Sequence, residues 1–141
     1  MNALHTLPIE PSQQLIQVIS GTAAGGFPSP AADYHEPPLS LDELLNLRAP
    51  HVYLMRVQGD SMRDAGILDG SRILVDRAIE PCPGHIVLAY VDNQPVVKRL
   101  ILSPTGLALE SANPDYGPIV ISEDTSVEIF GTVAWIVTNA L

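Results

Sequence analysis

His85-Ile86-Val87-Leu88-Ala89-Tyr90-Val91 and Val96-Val97-Lys98-Arg99-Leu100-Ile101-Leu102, separated by a turn at Asp92-Asn93, set the texture of the chain. Both runs are dominated by Val, Ile and Leu, which fit the half-buried pleated surface of a sheet. The same texture extends outward on both sides. Val52–Val57 and Ser71–Asp76 precede these runs, and Leu107–Glu110, Ile119–Ile121 and Val127–Thr138 follow them. Turn residues punctuate the series at Asp69-Gly70, Pro81-Cys82-Pro83-Gly84, Pro104-Thr105-Gly106 and Asn113-Pro114-Asp115-Tyr116-Gly117-Pro118. Short strands repeating every ~8–12 residues predict a mostly β fold, a small barrel-like or sandwich domain. Gly131, inside the last long run, predicts a bulge or sharp bend.

The 141 residues suit one compact domain of ordinary size and are too few for two full ones. A hydrophobic content of 46% and a mean hydropathy of +0.20 supply a core and exclude disorder throughout. Sixteen acidic residues against seven basic ones give a formal charge of −9, which argues against a grip on phosphate backbone. Direct nucleic-acid binding is therefore not expected. Six of the seven basic residues are Arg; Lys98 is the single lysine. Cys82 is alone, so an intramolecular disulfide and a multi-cysteine metal site are both excluded. No basic leader, apolar signal region or membrane-length apolar run is found, which predicts a soluble, cytoplasmic protein without a membrane anchor.

Charge and proline divide the chain near residue 48. Residues 1–47 hold Glu10, Asp33, Glu36, Asp42 and Glu43 and no Lys or Arg. Pro28 and Pro30 bias their predecessors towards extended backbone, and Gly21, Gly25 and Gly26 loosen the chain just upstream. Residues 1–47 are thus expected to be a flexible N-terminal arm, and 48–141 the β-rich domain. A short helix over residues 40–48 is expected to end the arm. Ser40 and Glu43 fit a capping box, Leu39 and Leu44 fit the flanking staple, and Pro50 would close the run.

Two residues carry chemistry. The run Val52–Val57 gives way to Gln58-Gly59-Asp60-Ser61-Met62, a setting that can present the Ser61 hydroxyl and aim the Ser61 and Met62 N–H groups at one spot, as an oxyanion site needs. Alone this is a weak signal, since turns favour Gly, Asp and Ser anyway. Lys98 sharpens it. Period-2 alternation puts Lys98 on the face of Val96 and Leu100. A strand lysine ordinarily snorkels to water. One desolvated against aliphatic neighbours instead has a lowered pKa, at about 1.4 kcal/mol per pH unit, and can serve as a neutral general base. Ser61 as nucleophile and Lys98 as base would need no His, Asp, metal or other cofactor. His5, His35, His51 and His85 show no metal-ligand spacing and read as structural or solvated. Asp60 adjoins Ser61 on the wrong side of an extended backbone to act as its base.

Gly59-Asp60-Ser61-Met62, Asp69-Gly70 and Val96-Val97-Lys98-Arg99-Leu100, in that order and spacing, resemble the self-cleaving Ser–Lys proteases related to the LexA repressor. Gly26-Phe27-Pro28-Ser29-Pro30-Ala31-Ala32-Asp33-Tyr34 is similar to the UmuD branch of that family, subunits of translesion DNA polymerase V. The resemblance runs from about Gly26 to the C-terminus. It implies a compact, strand-rich, homodimeric protease domain in which Ser61 is the nucleophile and Lys98 the general base. It also implies a substrate, the chain's own arm, cut before a Gly. Register favours the Gly25-Gly26 bond, whereas the family's preference for Cys or Ala before the bond favours Ala24-Gly25. The implied partners are a RecA–single-stranded DNA filament, which promotes the cut, and a UmuC-type Y-family polymerase. The implied setting is the SOS response and DNA damage tolerance.

Three rivals stand against this reading. A LexA-like or phage-repressor-like regulator needs a helix-turn-helix before the cleavage site, and the 24 or 25 proline-bearing residues there, without a basic residue, do not suit one. A signal peptidase needs a membrane anchor. A non-enzymatic β-rich binding module would leave Ser61 and Lys98 incidental.

Overall fold

The computed structural model describes residues 14–19, 35–47 and 49–141. They fall into two compact units, one within Ile9–Pro50 and one spanning His51–Leu141.

In the smaller unit, β1 (Leu15–Ile19) pairs antiparallel with β2 (His35–Ser40). The pairing runs Leu15↔Ser40 and Ile16↔Leu39, then resumes at Val18↔Glu36, so β2 carries one extra residue where Pro37 and Pro38 lie. Prolines cannot donate to a ladder, and a bulge in a two-stranded sheet accommodates them. The sequence pattern predicts an arm and no strand here. The helix also corrects it: α1 covers only Leu41–Leu44, and its N-cap Ser40 makes no side-chain capping bond. Pro50 does not stop it. Asn46 takes a left-handed conformation (φ 58°), and its N–H reaches the Glu43 carbonyl while the Leu47 N–H reaches that of Asp42. That bond pair is a Schellman stop, with Asn in the place glycine usually takes.

The larger unit contains β3 (Val52–Arg56), β4 (Arg72–Asp76), β5 (Ile86–Val91), β6 (Gln94–Ser103), β7 (Gly106–Glu110), β8 (Ile119–Val120) and β9 (Val127–Val137). These are the seven runs read from the sequence, with ends shifted by a residue or two. They form one antiparallel sheet in the order β3-β4-β9-β5-β6-β7-β8. Asp92 and Asn93 both have positive φ, so a two-residue turn closes directly onto the pair Val91↔Gln94 and β6 begins before its first valine. β9 serves two neighbours: Val127–Thr132 pairs with β5, and Thr132–Val137 with β4. Its register shifts against both, and Gly131 sits at the changeover. A Cβ there would stand 2.7 Å from Val75 Cγ1, so only glycine lets the strands approach this closely.

β5 is buried on both faces. Leu88 joins Met62, Ile67, Ile73, Val75 and Val97 in one core cluster, while Val87 and Ala89 join Leu100 and Leu109 in a second. Successive residues point to opposite sides, which is why His85–Val91 reads as an apolar run without alternation. No helix among the described residues is long and apolar enough to cross a membrane.

Candidate active site

The turn after β3 is fastened from several directions. The Val57 N–H donates to the Ser71 carbonyl at 2.7 Å, and the Gly70 N–H donates back to the Val57 carbonyl at 2.8 Å. Gly59, at φ 93°, reverses the chain, and its N–H donates to Asp69 Oδ1 at 2.9 Å. Asp69-Gly70 therefore holds the start of the Ser61 turn. On the far side, Met62 is fully buried and a short 3-10 turn over Arg63–Ala65 ends at the left-handed Gly66. Ser61 is half-buried at the crest, and its N–H and that of Met62 donate to no partner among the described residues. Two neighbouring donors without partners are what an oxyanion site requires.

Lys98 reaches the same place from β6. It is only 9% exposed, between the core residues Val97 and Leu100, so burial pulls its amine below the usual lysine range. Nζ donates to Ser111 Oγ at 2.8 Å, and the Tyr116 ring lies 5.5 Å away. Among the described residues no carboxylate stands within ion-pair distance of it. Ser61 and Lys98 together line a cleft of about 440 Å³, whose walls include Met55, Val57, Leu88 and Val97.

The other candidates separate cleanly. His51 Nδ1 lies 2.7 Å from Asp76 Oδ1, and His85 Nδ1 accepts the Cys82 N–H at 3.2 Å, both structural contacts outside the cleft. Asp60 uses its carboxylate to accept the Tyr116 hydroxyl at 2.6 Å. Ala24, Gly25 and Gly26 lie outside the described residues.

Sequence reasoning missed the third side of the site. Asn113-Pro114-Asp115-Tyr116 was legible as a turn, and Asn113 Oδ1 does accept the Asp115 N–H in an Asx turn. The same side chain also sends Nδ2 to the Asp60 carbonyl at 2.9 Å. Just before it, the Asp64 N–H donates to the Ala112 carbonyl, and the Ala112 N–H to Met62 Sδ. The segment 111–116 thus braces both the Ser61 turn and the Lys98 amine. The contacts to the turn span some 50 residues and the one to Lys98 spans 13, across a strand pair, so no local pattern signals them.

Comparison with known proteins agrees with the geometry. Residues 17–134 match the Peptidase S24-like family. Protein SamA of Salmonella typhimurium is 40% identical over 124 residues, covering 88% of this chain and 86% of that protein. Protein MucA of Escherichia coli is 40% identical over 111 residues, covering 78% and 75%. The LexA repressor of Bordetella avium is 35% identical over 129 residues, covering 91% of this chain and 60% of that protein. The chain belongs to the S24-like peptidase family, and its likeness to SamA and MucA sets it on the UmuD-like side of that family.

Proposed function

We propose that the chain is a self-cleaving serine endopeptidase of the UmuD type, with Ser61 as nucleophile and Lys98 as general base. The observation that carries this is a buried lysine with no carboxylate in ion-pair distance among the described residues, lining one cleft with a serine held on a braced turn. The neutral Lys98 amine takes the Ser61 Oγ proton as Oγ bonds to the scissile carbonyl carbon. The Ser61 and Met62 N–H groups hold the resulting oxyanion. Lys98, now an ammonium, returns the proton to the leaving amine. Water, deprotonated by the same amine, then releases the acyl group.

The substrate is the chain's own arm at Ala24-Gly25 or Gly25-Gly26, a small-residue strip that can lie close to Ser61 as an added strand. β3, which leads into Ser61, ends the sheet order and offers an edge for that addition. A RecA–single-stranded DNA filament would accelerate the cut by favouring the docked arm. The trimmed form, as a homodimer, would join a UmuC-type polymerase in SOS mutagenesis and damage tolerance without itself gripping nucleic acid.

The test is incubation of the purified chain over a series of rising pH, with and without RecA filament. Cleavage should accelerate as pH rises through the lowered Lys98 range, while Ser61→Ala and Lys98→Ala stay intact and folded. The mass of the released fragment identifies the bond. A wild-type chain that stays full-length under every condition would rule the proposal out in favour of a binding module.

A further inference from the structure

We infer that Ser111 is a positioning residue for Lys98: its Oγ holds one amine N–H, so that the rest of the amine faces the cleft lined by Ser61. This rests on Lys98 being the general base. The contact follows from strand register. Arg99 pairs with Glu110 across β6 and β7, so the next position outward sets Lys98 opposite Ser111. Both side chains are more than nine-tenths buried, and the bond is 2.8 Å. Ser111 Oγ is the hydrogen-bond acceptor of Lys98 Nζ among the described residues.

The choice of a hydroxyl has chemical content. A carboxylate at this point would pair with the ammonium and hold Lys98 charged, unable to act as a base. A hydroxyl is neutral, and it rotates. It accepts from the amine or the ammonium, and its own proton need not be fixed. It therefore fixes the direction of the amine across the catalytic cycle, offsetting only a small part of the lowering of the pKa that burial causes. The groups around Nζ fit this division. Tyr116 faces it from the following loop and stays neutral, its pKa raised by the bond to Asp60 and by that carboxylate's charge. Arg56 lines the cleft from β3, and Arg99 and Glu110 occupy the alternate face of β6 and β7.

Two opposite effects follow for Ser111→Ala. A hydrogen bond to a charged donor is stronger than one to a neutral donor, so losing it disfavours the ammonium. The Lys98 titration should move to lower pH, by roughly half to one pH unit. The cleavage plateau at high pH should nevertheless fall, by about tenfold, because the amine is no longer aimed. Since Lys98 is the only lysine, the full chain labelled with 13Cε-lysine gives one side-chain resonance, which reports this titration directly. Ser111→Thr keeps the hydroxyl and should restore both the midpoint and the plateau; circular dichroism confirms folding of each variant. Should Ser111→Ala leave the midpoint in place, with or without a lower plateau, the inference is overturned and Ser111 is merely structural. Should Ser111→Ala fail to fold, Ser111→Cys, with its weak donor and acceptor, must still shift the midpoint downward, and an unmoved one overturns it equally. Absence of cleavage in the wild type, by contrast, strikes the protease reading itself.

Discussion

The Tyr116 hydroxyl donates to Asp60 Oδ1 at 2.6 Å, while the Tyr116 ring lies 5.5 Å from Lys98 Nζ. One side chain thus touches the residue before the nucleophile and the amine proposed to activate it. Asn113 adds a second hold on Asp60, through the backbone carbonyl. The Ser61 turn is therefore fixed by contacts from the far end of the chain as well as by its own glycine.

The two holds differ in burial, and so should their removal. Tyr116 is 46% exposed, so Tyr116→Phe should leave the thermal midpoint nearly unchanged and slow arm cleavage about threefold to tenfold. Asn113 is buried, and Asn113→Ala leaves the Asp60 carbonyl without that partner. It should cost about 1–3 kcal/mol of stability and slow cleavage further. Denaturant melts and cleavage time courses of the two variants check the order. Equal stability losses would show that exposure does not govern these bonds.

Much of the fold is legible in the sequence, for a physical reason. Strands such as Ile86–Val91 announce themselves because β-branched and aliphatic residues must be used where both faces are buried. Lys98 stands out as a candidate because a lone lysine among aliphatics breaks the local rule, and it draws attention to Ser61, whose turn setting alone is ordinary. Ser111, Asn113 and Tyr116 break none. Each is an ordinary turn or strand-end residue until antiparallel pairing of β6 with β7 brings 111–116 beside 60–62 and 98. The helix is shorter than its cap and staple residues predict because Asn46 acts as a left-handed stop. β1 gives no signal in the sequence because five residues paired with a proline-bearing partner carry too little alternation.

Gly59 should prove replaceable at a cost to rate more than to fold. Nothing lies within 4 Å of a Cβ placed there, so Gly59→Ala meets only the strain of φ 93°. That strain costs about 1–2 kcal/mol, and the turn can relieve it only by rotating away from the Asp69 acceptor. Cleavage should fall more steeply than stability. Asp69→Asn keeps an acceptor oxygen and should stay close to wild type, whereas Asp69→Ala should resemble Gly59→Ala. Wild-type cleavage rates in both Gly59→Ala and Asp69→Ala would mean that this bond does not set the pose of Ser61.

Gly131→Ala should damage the fold directly. The added methyl would meet Val75 Cγ1 at 2.7 Å and the Asp76 carbonyl at 3.3 Å, and Val75 is fully buried with nowhere to move. Overpacking of this kind costs about 1–3 kcal/mol. For a domain of this size each kcal/mol lowers the thermal midpoint by roughly 4–8 °C. Gly117→Ala, where a Cβ meets open space, is the matched control and should melt close to wild type. A Gly131→Ala chain as stable as that control would mean that β4 and β9 can part at the bend without loss.

Burial of Lys98 should also leave a mark on stability that depends on pH with a definite sign. Its folded-state pKa lies below the ordinary lysine value because burial disfavours the ammonium. Between those two values the unfolded chain holds a proton that the folded chain lacks, so stability rises with pH across that window. Below the folded value the penalty is constant and complete; above the ordinary value it is gone. Lys98→Met removes the titrating group and retains a flexible apolar side chain, although it also leaves Ser111 Oγ without its partner. The second effect does not vary with pH, so the comparison is of slopes. In urea melts at a series of alkaline pH values, with both chains carrying Ser61→Ala so that neither cleaves, the chain with Lys98 should gain stability relative to Lys98→Met as pH rises through the window, then run parallel to it. A stability difference that stays flat from neutral pH to beyond the ordinary lysine range would show that the amine is not desolvated in the folded chain, and Lys98 would lose the property that makes it a base.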